Sequence, residues 1–296
     1  MTGIWYGLAA YSLWGLFPLY WRLFPNVPAL QVLGHRIVWS FVVLGAIIAS
    51  RRTARLPPVT TRIVGLYAVA ATLIGANWFL YVFAVNAGLV VETSLGYFIT
   101  PLVNVLMGVL VFRERLRALQ WVAVLLALAG VLRLTIAYGS LPWIALGLAV
   151  SFGSYGLVKK KASLPSLEGL TLETAVLVLP AAAYLIVLHG NGTGAFLVGD
   201  PRSDALLVAG GVVTVGPLLL FASAVRRVPL SVIGILQYIS PTIQFLLGVY
   251  MFREPFSRTQ LSGFALVWLG LVVFGLDGLL ARKATPGMAV LDERAT

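Results

Sequence analysis

The chain contains no cysteine. Disulfides, thiolate catalysis and cysteine-held metals are thereby excluded. Histidine occurs twice, at His35 and His189, too few for a multi-histidine metal centre, so no metal or cofactor is expected. Charge is scarce: Asp, Glu, Lys and Arg make up 10% of the residues, against ~25% in a soluble domain. No stretch of the 296 residues is polar enough for a separate soluble domain. No Walker sequence is present, so direct use of ATP is not expected. An intramembrane enzyme would need a catalytic constellation, and neither G-x-S-x-G nor H-E-x-x-H occurs. The N-terminus lacks a basic leader region and a small-residue cleavage site, so residues 5–24 read as a retained helix.

What the chain has is apolar length. It is 60% hydrophobic, with a mean hydropathy of +0.96. A membrane span needs ~20 mostly apolar residues. Punctuated apolar runs predict ten, at 5–24, 30–50, 62–85, 92–112, 117–136, 141–158, 169–188, 204–225, 231–252 and 259–280. The runs lack strand alternation, and a lone segment in lipid satisfies its backbone as a helix. The predicted class is all-α, a multi-pass protein of the cell membrane with the bilayer as a partner.

The net charge of +11 is topological on this reading, and no nucleic-acid partner is expected. With the N-terminus inside, Arg51, Arg52, Arg55, Arg62, Arg113, Arg115, Arg117, Lys159, Lys160, Lys161, Arg226, Arg227, Arg282, Lys283 and Arg294 are cytoplasmic. Those 15 face 4 on the outside: Arg22, Arg202, Arg253 and Arg258. Such a bias predicts both termini in the cytoplasm, with residues 283–296 a disordered tail. Gly190-Asn191-Gly192-Thr193-Gly194-Ala195 fits a dinucleotide fingerprint on paper. It lacks the strand before and the helix after, and reads as an outer loop.

A repeat with a period of 140 residues runs through the chain. Ile99-Thr100-Pro101 falls on Ile239-Ser240-Pro241, and Phe112-Arg113-Glu114 falls on Phe252-Arg253-Glu254. Between 98 and 116, 8 of 19 positions are identical, where chance gives about two, the mark of a duplicated unit. Each unit holds five predicted spans, and an odd number inverts the second copy. The predicted organisation is a first repeat at 1–138 and an inverted second repeat at 139–282. Inverted repeats place a binding site between the halves and suit alternating access.

The chain resembles the drug/metabolite transporter superfamily, specifically its EamA family and the RarD-type members. The resemblance spans nearly the whole chain. It is carried by Ala10-Tyr11-Ser12-Leu13-Trp14-Gly15, His35-Arg36-Ile37-Val38-Trp39-Ser40 and Gly75-Ala76-Asn77-Trp78. It continues through Ala84-Val85-Asn86, Glu92-Thr93-Ser94-Leu95-Gly96-Tyr97-Phe98-Ile99-Thr100-Pro101-Leu102-Val103-Asn104, Gly139-Ser140-Leu141-Pro142 and Gln237-Tyr238-Ile239-Ser240-Pro241-Thr242. It implies ten helices in two inverted halves. It also implies a cavity lined by the first, third, fourth, sixth, eighth and ninth helices. RarD-type members are associated with chloramphenicol resistance. The implied function is a secondary transporter of small organic solutes, metabolite or drug, acting as an efflux permease. A receptor or structural membrane protein is the alternative from another class, and a sealed, dry interior would favour it.

Pro101 and Pro241 occupy matched positions in the fourth and ninth spans. Each removes an N–H and should break its helix, a pointer to a gating or binding region; packing alone is the other explanation. Asn104 and Gln244 follow three residues later in each copy. Trp14, Asn77, Trp78, Asn86, Glu92, Tyr97, Tyr155, Gln237 and Tyr238 fall on spans that should line the cavity. Aromatic faces with polar tips suit an amphipathic solute, although an interfacial belt also uses Trp and Tyr. Glu92 reads equally as a helix cap. Charges within spans should face protein or water. His35, Arg36 and Glu173 are such charges, with coupling or structural roles. Glu173 has no charged partner in its own helix, so protons are the candidate coupling ion, with Glu92 as second carrier. Asp277 reads as an interfacial charge near Arg282.

Overall fold

The structure is a computed structural model, and it describes residues 2–24, 27–50, 59–87, 89–139, 141–198, 200–251 and 258–284. No strand occurs among the described residues. The helices are α1 (Thr2–Gly15), α2 (Phe17–Trp21), α3 (Ala29–Ser50), α4 (Thr61–Asn86), α5 (Val90–Phe112) and α6 (Ala118–Tyr138). There follow α7 (Trp143–Lys161), α8 (Ser166–Gly190), α9 (Pro201–Val225), α10 (Leu230–Gln237), α11 (Ile239–Leu246) and α12 (Arg258–Ala284). A π-helical turn, Leu247–Met251, extends α11.

Eight of these segments are long and apolar enough to cross a membrane. The two shorter candidates have visible causes. The first predicted span is divided: α1 stops after 14 residues at Gly15, and α2 restarts at Phe17 with Pro18 in its first turn. The sixth, α7, has 19 residues and ends in Lys159, Lys160 and Lys161. Large apolar side chains point away from the bundle, with Leu110, Ile136, Leu179 and Ile186 at least two-thirds exposed. Exposed apolar surface on that scale is lipid-facing surface in a membrane protein.

Helix ends follow local chemistry. Asp200 caps α9 by accepting from the Arg202 N–H at 3.1 Å, with Pro201 as the first helical residue. Gly139, at φ +83°, ends α6 in the left-handed conformation. The Gly190–Ala195 segment forms the turn after α8, tied down by Gln31, whose Nε2 donates to the Thr193 carbonyl at 2.9 Å.

Most helices pack against more than one partner. α12 lies on α6, α5 on α7, and α10 on α5; α3 contacts both α8 and α9, α4 contacts both α7 and α8, and α1 contacts α9, α10 and α11. Ala145 and Ala149 are fully buried where α7 meets α5, the close approach that small residues permit. A tight crossing joins α10 to α5: a Cβ on Gly234 would stand 2.5 Å from the Pro101 carbonyl oxygen.

The paired prolines do not behave alike, which corrects the expectation of two equivalent breaks. α5 runs unbroken through Pro101. The segment from 230 to 251 breaks at Tyr238 and then widens into the π-helical turn. Thr100 Oγ1 donates to the Gly96 carbonyl at 2.6 Å, and Thr242 Oγ1 donates to the Tyr238 carbonyl at 2.7 Å. One missing N–H costs α5 a single ladder bond, which close packing on α7 and α10 tolerates.

Candidate functional site

A cavity of about 150 Å³ opens between α1, α2, α3, α4, α5, α7, α10 and α11. Its walls are rich in aromatic side chains. Trp14 stands at 5.5–5.8 Å from the rings of Tyr11, Phe152 and Phe221. Phe17 and Trp21 of α2, Trp78 and Tyr81 of α4, and Tyr97 of α5 complete the rings around the space. Against it packs a buried apolar cluster of Tyr11, Ile74, Tyr155, Phe221, Leu230 and Ile233, of which Tyr11 and Ile74 also line the cavity.

Amides interrupt this apolar lining. Asn77 spends its NH2 on the Leu148 carbonyl and Ser151 Oγ, both at 2.9 Å, and so ties α4 to α7. Gln244 donates to the Trp14 carbonyl at 3.3 Å, bracing α11 against the end of α1. Asn104 is fully buried and outside the lining; its Nδ2 donates to Gln237 Oε1 at 2.7 Å. That bond orients Gln237, whose amide nitrogen is then free for the cavity. Asn104 Oδ1 has no hydrogen-bond partner among the described residues. Pro241 lines the cavity and Pro101 is buried behind it.

Other expected lining residues lie elsewhere. Tyr238 is 1% exposed, sits among Phe98, Phe264 and Val267, and donates to the Phe98 carbonyl at 3.2 Å. Its position at the helix break turns the ring toward α6 and α12. Tyr155 stacks on Phe221 at 5.8 Å in the buried apolar cluster and borders a second, much smaller cavity. The eighth predicted span, α9, contributes nothing to the main cavity, while α3 contributes Arg36. The side chains of Asn86 and Glu92, like residues 285–296 of the tail, lie outside the described residues.

The three intramembrane charges have separate environments. His35 packs its ring 5.0 Å from Phe196, near the turn after α8. Arg36 reaches the cavity, with Nε donating to Thr214 Oγ1 at 2.8 Å. Glu173 is 1% exposed and has the partner that its own helix does not supply. Lys159 Nζ donates to its Oε1 at 2.6 Å, and the Tyr155 hydroxyl donates to its Oε2 at 3.0 Å. The source is the short connection of residues 162–165, which brings Tyr155 and Lys159, near the end of α7, within reach of Glu173, near the start of α8. Lys159, which the charge pattern places with the cytoplasmic loop charges, is 2% exposed. Asp277 is likewise no free interfacial charge: it is buried and paired with Arg117, from the end of α6.

The duplicated Phe112-Arg113-Glu114 motif also acquires a role. Arg113 takes a left-handed φ of 54°, which turns the chain at the end of α5. Glu114 then accepts from the Leu230 and Ser231 N–H groups at 2.7 and 2.9 Å, capping α10. Gly108 leaves the room, since a Cβ there would stand 2.5 Å from Glu114 Oε2. Burial pushes the Glu114 carboxyl upward, but the N–H donors of Ser231 and Leu230 and the charge of Lys160 outweigh it, and the net shift is below the ordinary carboxylate value. Phe252, Arg253 and Glu254 of the second copy lie outside the described residues.

Comparison with known proteins gives concordant matches. The EamA-like transporter family matches residues 1–136 and again residues 141–276. Protein RarD of Streptomyces exfoliatus is 48% identical over 99% of this chain and 94% of its own length. Protein RarD of Escherichia coli (strain K12) is 42% identical over 96% of this chain and 97% of its own. A crystal structure 20% identical in sequence superposes with a TM-score of 0.69, covering 96% of this chain and 98% of the other, and shares its fold.

Proposed function

From the premise that the chain belongs to the EamA-like transporter family, among its RarD-type members, we propose a secondary transporter of small organic solutes working by alternating access. The observation that carries this reading is the cavity, walled by Trp14, Trp78 and Tyr97 and crossed by the amides of Asn77, Gln237 and Gln244. A sealed structural bundle has no need of such a space. Aromatic faces and a few placed polar groups are the usual composition of a small-molecule site. The family resemblance favours export.

Ten spans in two inverted halves are part of the proposal. In support, α1 with α2 and α7 supply two spans beyond the eight long ones, and they stand at equivalent places in the two halves. The packing partners respect the same duplication. Counting spans, the pair α5 and α7 has its counterpart in α11 and α1, and the pair α3 and α9 in α8 and α4. The family match in two stretches is consistent with it. With the N-terminus inside, the cavity lies toward the outer face. The Glu114 cap, Lys160 and the buried apolar cluster then close the inner side. The structure is on this reading an outward-facing state.

The proton-carrier role for Glu173 loses its motive, because Lys159 and Tyr155 compensate its charge. We read the trio as a clamp between α7 and α8. The deciding experiment loads proteoliposomes with a metabolite extract and compares the contents with protein-free vesicles. Transport changes the location of unaltered species; an enzyme creates new ones; a structural protein leaves both unchanged, and either of the last two results overturns the proposal.

A further inference from the structure

We propose that Arg36 is a binding site for an anionic group on the solute, a carboxylate or a phosphate ester. The inference rests on the transport reading and names the chemical class that the cavity selects. Four charged side chains are buried among the described residues: Arg36, Lys159, Glu173 and Asp277. The last three are ion-paired. Arg36 is the exception: among the described residues no carboxylate pairs with it, and its one side-chain hydrogen bond goes from Nε to neutral Thr214.

An uncompensated buried cation is costly, so the surroundings must hold it. They do so with rings. The guanidinium carbon lies 5.4 Å from the centroid of Phe17, 5.2 Å from Trp21 and 5.3 Å from Trp78. Cation–π contacts of that kind offset part of the desolvation without neutralising the charge. Thr214 fixes Nε, and the Nη hydrogens, arranged as a planar fork, take no acceptor among the described residues. Such a fork matches two oxygens of a carboxylate or phosphate. Arg36 and its rings border the main cavity, so an anion bound there leaves the rest of the solute against the aromatic wall.

The experiment is a tryptophan-fluorescence titration of the purified protein in neutral detergent, since Trp14, Trp21 and Trp78 line the cavity. The probes are phenylacetate, its neutral isostere phenylacetamide, and benzylammonium. Phenylacetate is expected to bind roughly tenfold or more tighter than either. R36Q should abolish that preference and R36K should keep part of it. The comparison within the wild-type protein stands even if R36Q fails to fold. Equal or tighter binding of a neutral or cationic probe overturns the inference while leaving the transporter intact. So does failure of all three probes in protein that still moves metabolites into vesicles. Protein that moves nothing fails the transport reading itself. Added phosphatidylglycerol should not displace phenylacetate; displacement assigns the guanidinium to a lipid headgroup and overturns the solute site.

Discussion

At the scale of single residues, burial decides which charges need partners. Removing one member of a buried ion pair typically costs about 3–5 kcal/mol, whereas replacing both members with neutral groups costs much less. Lys159→Ala or Glu173→Ala should therefore lower the melting temperature sharply in detergent, and the double variant Lys159→Met, Glu173→Gln should recover much of the loss. Glu173→Gln should depress gradient-driven uptake and solute exchange alike, by reducing folded protein. Selective loss of the gradient-driven mode, at normal stability, restores the carboxylate as a proton carrier. The residue scale is also where the sequence was least legible. Trp14, Asn77, Trp78, Tyr97, Gln237 and Gln244 could be placed near a cavity from their spans and resemblance. The ring of Tyr238 could not, because its direction depends on a helix break whose geometry no residue type announces. Lys159 reads as a loop charge in the sequence because its burial depends on the turn at 162–165, which brings it to Glu173 of α8.

At the scale of elements, two contacts set how α5 and α10 meet, Gly234 under the Pro101 carbonyl and Glu114 over the start of α10. A methyl group at 234 cannot be accommodated without separating the helices. Gly234→Ala should cost about 1–3 kcal/mol, the usual range for overpacking, read as a lower melting temperature. Glu114→Gln keeps the shape but weakens the cap, with an expected loss of about 1 kcal/mol. The pH dependence has a definite sign. The folded-state pKa of Glu114 is depressed, so its contribution is present above the unfolded carboxylate value and is lost as pH falls through the folded one. Wild-type protein should lose stability in that acidic window, and Glu114→Gln should lose less. Equal acid sensitivity in both would contradict the cap. Element positions were largely legible, because span length and charge punctuation are direct consequences of lipid. The unequal fates of Pro101 and Pro241 were not, since tertiary packing rather than the proline decides whether a helix breaks.

At the scale of the whole molecule, a duplicated unit with an odd number of spans must place its two copies in opposite senses. Reporter fusions after Pro57 and after Ala195 should therefore lie on opposite sides of the membrane. The central claim is that one cavity is reached from both sides in turn, and the absence of cysteine makes it directly testable. A Gln244→Cys variant carries a single thiol at the cavity wall. Membrane-impermeant maleimide should label it from the outside in intact cells, as the proposed outward-facing state requires, and also from the inside in inverted vesicles as the protein cycles. Labelling from one side only, or from neither, in folded protein would contradict alternating access.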